Sequence, residues 1–310
     1  MKVLVAGATG LAGSAISRAF RARGDEVIPL NRSVVDLMDL KNTRDFLKST
    51  KPNLVVNAAA KVGGIGINNL KPVDFLYDNL GMQNNLFQSA LETKIESFVF
   101  LGSSCIYPRN CPQPIREEFL MTGPLEESNS AYAIAKIAGI EMVKSVRKQY
   151  GLNWISLMPT NLYGPGDNFN LSDSHVLPAM IRKIVEAKRF GVSSITFWGT
   201  GSPLREFLHA DDLASAVLLS SEKYDDSSHL NVGTGQDLSI LKLASLISEI
   251  EDYGGEILWD STKPDGTTRK VLDISRISAL GWQPTISLTE GIRETINWFK
   301  AAVENGEARL

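Results

Sequence analysis

Residues 2–6, KVLVA, form a short unbroken apolar run, and GATGLAG follows before SAISRAFRARG, whose apolar residues recur at helical spacing. A run apolar on both sides of the pleat suits a strand covered on two faces, the condition inside a parallel sheet. The glycines Gly7, Gly10 and Gly13 then have separate jobs. Gly7 permits the turn, Gly10 lets the backbone approach a pyrophosphate, and Gly13 lets helix and sheet pack closely. The spacing is GxxGxxG rather than GxGxxG. With EVIPLN as a second strand, the unit reads strand, turn, helix, strand and predicts a dinucleotide site.

The alternation continues, with strands expected over 53–60 (NLVVNAAA), 97–102 (SFVFLG) and 154–159 (WISLMP), and helices over 74–93 and 131–150. This pattern predicts an α/β fold, a doubly wound parallel (Rossmann) sheet that binds ligands at the carboxyl ends of its strands. After Gly164 the pattern loosens into loops rich in Asn, Asp, Gly and Pro. We therefore expect a dinucleotide-binding domain over 1–165, to which segments near 200–235 return, and a smaller α/β substrate domain over 166–310. A chain of 310 residues can bury such a core, and its net charge of −3 gives no bias towards nucleic acid or anionic membrane. No apolar run approaches the roughly 18 residues of a membrane span, and the N-terminus enters a strand without a signal peptide's apolar region. Two cysteines, Cys105 and Cys111, fit neither a disulfide framework nor a CxxC zinc site. The expectation is a reduced, cytoplasmic protein with no metal.

Two constellations carry chemistry. Tyr132 and Lys136 stand at i and i+4 in an expected helix, so they share a face. An ammonium beside a phenol would lower the phenol's pKa from about 10 and suit it to exchange a proton with a carbonyl. At the end of the second strand, where an acidic residue would bind ribose hydroxyls, stand Asn31 and Arg32. A neutral residue and a guanidinium suit the 2′-phosphate of NADP. In GSSCIYP, at a strand's carboxyl end, the residues alone leave Cys105 open as a small buried hydrophobe, half of a disulfide, or a reagent.

The glycine turn, the strand-end serine and Tyr-x-x-x-Lys together resemble the extended short-chain dehydrogenase/reductases that act on nucleotide sugars. The likeness spans nearly the whole chain. Seven segments narrow it: KVGGIGIN (61–68), GSSCIYP (102–108), YAIAKIAGIE (132–141), MPTNLYGPGDNF (158–169), SHVLPAMIRK (174–183), WGTGSPLREFLHADD (198–212) and KPDGTTRKVLD (263–273). They are similar, in order, to members that epimerise and then reduce a GDP-4-keto-6-deoxy sugar. The resemblance implies that Cys105 removes protons at C3 and C5, as a thiolate suited to a carbon acid can. It implies that His175 returns them, that Ser103 hydrogen-bonds the 4-oxygen, and that Tyr132 and Lys136 complete the reduction. Ser104 is a chemically identical competitor for the role of Ser103.

The same resemblance implies NADP(H) contacts from Gly7, Thr9, Gly10, Leu11, Gly13, Arg32, Asp36, Leu101, Gly102, Ser103, Ser104, Lys136, Pro159, Asn161, Leu162 and His175. It implies contacts to the GDP-sugar, a small-molecule substrate, from Lys183, Trp198, Arg205, Asp265 and Lys270, with Arg269 an open alternative to Lys270. It implies a homodimer through the helix carrying Tyr132 and its neighbour. Two departures stand out: Lys183 where an arginine is usual, and Thr9 where some members place an arginine for the 2′-phosphate. His209 is expected to order the loop around Asp211 and Asp212, His229 to lie on the surface, and Cys111 to have no role. A dinucleotide-binding module without catalysis would need only the glycine turn, so Ser103, Cys105, Tyr132, Lys136 and His175 together speak for an enzyme.

Overall fold

A computed structural model describes residues 1–263 and 265–310; Pro264, within the KPDGTTRKVLD segment, lies outside the described residues. The N-terminal half runs β1 (Lys2–Ala6), α1 (Leu11–Ala22), β2 (Glu26–Leu30), α2 (Leu40–Thr50), β3 (Leu54–Asn57), α3 (Ile65–Leu70), α4 (Pro72–Glu92), β4 (Ser97–Leu101), α5 (Ser130–Tyr150) and β5 (Asn153–Pro159). Then follow β6 (Asn161–Tyr163), α6 (Val176–Phe190), β7 (Ser194–Trp198), β8 (Leu204–Arg205), β9 (Phe207–His209), α7 (Ala210–Lys223) and β10 (Leu230–Val232). The chain closes with β11 (Leu238–Ser239), α8 (Ile240–Glu251), β12 (Glu256–Asp260), β13 (Arg269–Lys270), α9 (Ser275–Ala279) and α10 (Leu288–Glu304). The expected α/β class and parallel sheet are both present.

The main sheet has the order β10-β5-β4-β3-β1-β2, and every pair is parallel. From β1 the chain steps outward to β2, then returns to form β3 on the other side of β1. Strand order reverses there, which opens a crevice at the carboxyl ends of β1 and β3. The strand expected over 53–60 ends at Asn57, whose side chain accepts the Ala59 N–H at 3.1 Å and turns the chain out of the sheet.

Alternate residues of one strand feed two cores. Val3 and Val5 pack with Ile16, Phe20, Leu213 and Val217 on the face covered by α1 and α7. Leu4 packs with Phe87, Phe98, Phe100, Ile140 and Trp154 on the face covered by α4 and α5. Trp154 stacks on Phe98 with ring centroids 4.7 Å apart and donates its indole N–H to the Ile95 carbonyl at 3.1 Å. A third core joins α6, α8 and α10 through Phe169, Ile181, Phe197, Leu243 and Phe299. Beside it, β7 pairs with β12, while β8 lies between β11 and β13. No described helix is long and apolar enough to cross a membrane.

Candidate active site

The glycine turn is built for close approach. Gly7 has φ +81° and donates its N–H to the Leu30 carbonyl at 2.8 Å. A Cβ on Gly13 would stand 2.1 Å from the Gly7 carbonyl oxygen, so only glycine lets α1 start this near β1. Gly10 is the N-cap of α1 and no side chain caps that end. The first-turn N–H groups, at the positive end of the helix dipole, remain for an anionic ligand. This bare cradle fits a dinucleotide pyrophosphate, with Thr9 exposed and Leu11 half-buried alongside. At the end of β2, the Asn31 side chain accepts the Ser33 and Val34 N–H groups at 2.9 and 3.2 Å. Arg32 is 88% exposed and its Nε lies 3.6 Å from Asp36, so its guanidinium is free to swing.

At the carboxyl end of β4, Ser103 is in extended backbone and its Oγ accepts the Cys105 N–H at 3.2 Å. Ser104 begins a short 3-10 turn and is buried, whereas Ser103 reaches the Tyr132 phenol. The chain thus distinguishes the two serines by direction. Gly102 continues the sheet to Leu157, and the Leu101 carbonyl accepts from Lys136 Nζ at 2.8 Å. That ammonium lies 4.9 Å from the Phe100 ring centre and 5.8 Å from that of Tyr132.

The expected lowering of the phenol pKa is reversed. Burial pushes Tyr132 above the usual phenol range, the nearby Cys105 charge adds to this, and the Ser103 hydrogen bond opposes it. Burial also pulls Lys136 down to about 7. A low-dielectric wall disfavours both ions, and Lys136 is turned to a neutral carbonyl rather than a carboxylate. On the next strand ends, Pro159 closes β5, Leu162 packs against the core under α1, and the Asn161 amide donates to the Glu206 carbonyl at 2.8 Å.

Cys105 is half-buried, and its Sγ receives Asn129 Nδ2 and Lys270 Nζ, each at 3.5 Å. Lys270, expected at a diphosphate, has its ammonium on the sulphur here. Arg269 turns away and gives its Nε to Asp237 at 2.6 Å. Arg205 is near enough for the charges of Cys105, Glu126 and Asp265 to oppose the downward pull of burial on its pKa. Both Asp265 oxygens are engaged by Thr200, through N–H at 2.7 Å and Oγ1 at 2.8 Å. Lys183 donates to the Thr196 carbonyl at 3.1 Å and lies 5.5 Å from the Phe197 ring centre. Trp198 is 67% exposed, an open indole face at the end of β7.

His175 is the N-cap of α6. Its side chain is exposed at the start of that helix; the surrounding protein lowers its imidazole pKa while the Asp173 charge opposes. The Asp173 carbonyl accepts the Gly64 N–H at 2.9 Å, and α3, which starts next to Gly64, packs on the turn Glu127–Asn129. KVGGIGIN therefore joins the histidine's loop to the turn that touches Cys105.

His209 is buried edge-on to Tyr163, and its Nδ1 accepts the Asp211 N–H at 3.3 Å, capping α7. His229 is a correction: it is 3% exposed, not a surface residue. Its Nε2 lies 2.9 Å from the Tyr107 hydroxyl, which donates to Asn231 at 2.5 Å. Burial pushes the half-buried Cys111 thiol up, against the Lys270 charge. Asn129 and Glu206 were not singled out from sequence. Glu206 is buried and accepts N–H groups of Thr234, Gly235 and Leu272 at 2.6, 2.7 and 2.9 Å. The one available signal for Asn129 was its place just before the helix of Tyr132.

The family model described as "NAD dependent epimerase/dehydratase family" matches residues 3–233. The chain belongs to this family. Within it, the chain is 48% identical over 305 residues to GDP-L-fucose synthase 1 of Arabidopsis thaliana, covering 98% of this chain and 94% of that protein. It is 45% identical over 308 residues to the GDP-L-fucose synthase of Escherichia coli (strain K12), covering 96% of each. Among solved structures, a GDP-L-fucose synthetase from Naegleria fowleri bound to NADP superposes with TM-score 0.91 at 28% identity, covering 100% of this chain and 96% of that one.

Proposed function

We propose that this protein converts GDP-4-keto-6-deoxy-D-mannose to GDP-L-fucose, by epimerisation at C3 and C5 and NADPH-dependent reduction at C4. The observation that carries the reading is a thiol at the carboxyl end of β4, two residues from a serine that faces the Tyr132 phenol. A plain 4-reductase has no use for a base beside its carbonyl-binding pair.

Cys105 takes the proton from the carbon next to the 4-keto group. The electron pair moves onto the 4-oxygen, where Ser103 and Tyr132 offer hydrogen bonds. His175, whose pKa is pulled below its ordinary value, gives a proton back on the opposite face at each centre. NADPH, when bound, supplies the hydride for C4. Its pyrophosphate would be held by Gly7, Gly10 and Gly13 and its 2′-phosphate by Arg32, with Lys136 at the nicotinamide ribose. Tyr132 then protonates the 4-oxygen. Trp198 offers a face to guanine, and Lys183, Arg205 and Asp265 line the GDP side.

In this reading residues 1–165 with 210–232 serve the cofactor, and the remainder of 166–310 serves the sugar nucleotide. The protein acts in the cytoplasm as a homodimer. Exposed Val73 and Tyr77 on α4, with Ile134 and Met142 on the adjoining α5, supply an apolar face for a second copy.

Incubation with the keto sugar and NADPH in deuterated water tests the activity. The expected product is a fucose carrying solvent deuterium at C3 and C5, with NADPH oxidised. Oxidation without deuterium would leave a plain reductase and refute the epimerase half.

A further inference from the structure

Two donors converge on the Cys105 sulphur from distant parts of the chain, Asn129 Nδ2 and Lys270 Nζ, each 3.5 Å from Sγ. A neutral thiol is a weak acceptor, and two donors on one sulphur suit a thiolate. Lys270 makes no ion pair with a carboxylate among the described residues, whereas its neighbour Arg269 is held by Asp237. Asn129 is held by its N–H to the Glu126 carbonyl at the start of α5; its Oδ1 is buried without a partner among the described residues, so its side chain is engaged there only through the amide on the sulphur. Among the described residues, Tyr132 from α5 and Arg205 from β8 also lie close enough to feel the Cys105 charge. Arg205 Nη1 is turned to the Leu204 carbonyl at 2.8 Å, which leaves Lys270 as the cation in contact with sulphur.

We propose that Lys270 is a catalytic residue whose ammonium holds the negative charge of the Cys105 thiolate, with Asn129 fixing the sulphur in place. The inference rests on the reading of this site as a carbon-acid epimerase. In each epimerisation Sγ forms a bond to the hydrogen of C3 or C5. The C–H electron pair moves through the adjacent carbon to the 4-oxygen, and Lys270 keeps its own proton. The sulphur then releases its proton to water before the second centre is opened. A lysine that served only the diphosphate would have no reason to lie on the thiol.

The test reads the thiol itself. In a Cys111→Ala background, alkylation of Cys105 by iodoacetamide is timed by mass spectrometry at pH 7 and pH 10, for the parent, Lys270→Met and Lys270→Arg. Loss of an adjacent cation should slow Lys270→Met about tenfold at pH 7. The rates should converge at pH 10, and Lys270→Arg should recover most of the loss. If Lys270→Met unfolds by circular dichroism, Lys270→Gln replaces it with the same expectation. Equal rates at pH 7 for parent and variant would overturn the proposal. Solvent deuterium exchange into the keto sugar is followed separately. Lys270-dependent alkylation without exchange in the parent would overturn the functional reading, and the catalytic role of Lys270 with it, and leave only its pairing with the thiolate; exchange with Lys270-independent alkylation would overturn the pairing and keep the functional reading.

Discussion

Cys105 and Tyr132 divide the chemistry, so their variants should fail differently. Cys105→Ser should lose solvent deuterium exchange by at least about a hundredfold, because a serine hydroxyl, far less acidic than a thiol, supplies no anion to take the proton near neutral pH. Tyr132→Phe should lose NADPH oxidation by a similar factor while the protein still binds cofactor. The buried His229 reports on stability instead. Burial, with the Lys144 and Arg276 charges, pulls its pKa from 6.5 to about 4. The unfolded chain therefore binds more protons between those values, and stability falls as pH drops through that window. About 2 kcal/mol should be lost between pH 7.5 and 5 in urea titrations, and His229→Gln should remove that share. Sequence made Tyr132, Lys136 and Cys105 legible because each sits in a contiguous motif. It misplaced His229, whose partner Tyr107 is 122 residues away, and nothing local in DDSSH signals a buried pair.

The strands and long helices were legible too, since apolar runs and helical spacing are local signals; helix 131–150 differs from α5 by one residue at its start. The exceptions are short strands such as β8 and β13, two residues each, which exist because a neighbour pairs with them. Helix α5 lies close on β4 because Gly139 has no side chain: an added Cβ would stand 2.2 Å from the Phe100 ring. Gly139→Val should cost about 3 kcal/mol in denaturant unfolding through this overpacking. It should also lower turnover, because the same helix carries Tyr132 and Lys136. Glu206 is the second hinge of packing, tying β9's approach to the turns after β10 and β13. Glu206→Ala would leave three backbone N–H groups without their acceptor, that of Leu272 buried and those of Thr234 and Gly235 part-buried, and should cost about 2 kcal/mol.

At the scale of the whole molecule, the exposed apolar face of α4 and α5 gives the assembly a test. Val73→Glu with Tyr77→Glu should shift sedimentation from dimer to monomer without unfolding, since both side chains point to solvent in the single chain. How the two halves share the chain was only partly legible, because a strand as short as Leu230–Val232 carries too few residues to announce its sheet. Yet that strand covers the edge of β5. A polypeptide leaving the ribosome has all its glycine-turn and tyrosine motifs long before residue 230, but β5 still offers a row of unpaired N–H and C=O groups to any neighbour. A chain stopped near residue 165 should therefore aggregate, where one continued past residue 232 should resist. For this protein the hazardous interval of synthesis is the stretch in which everything for cofactor binding has been made and the last strand has not.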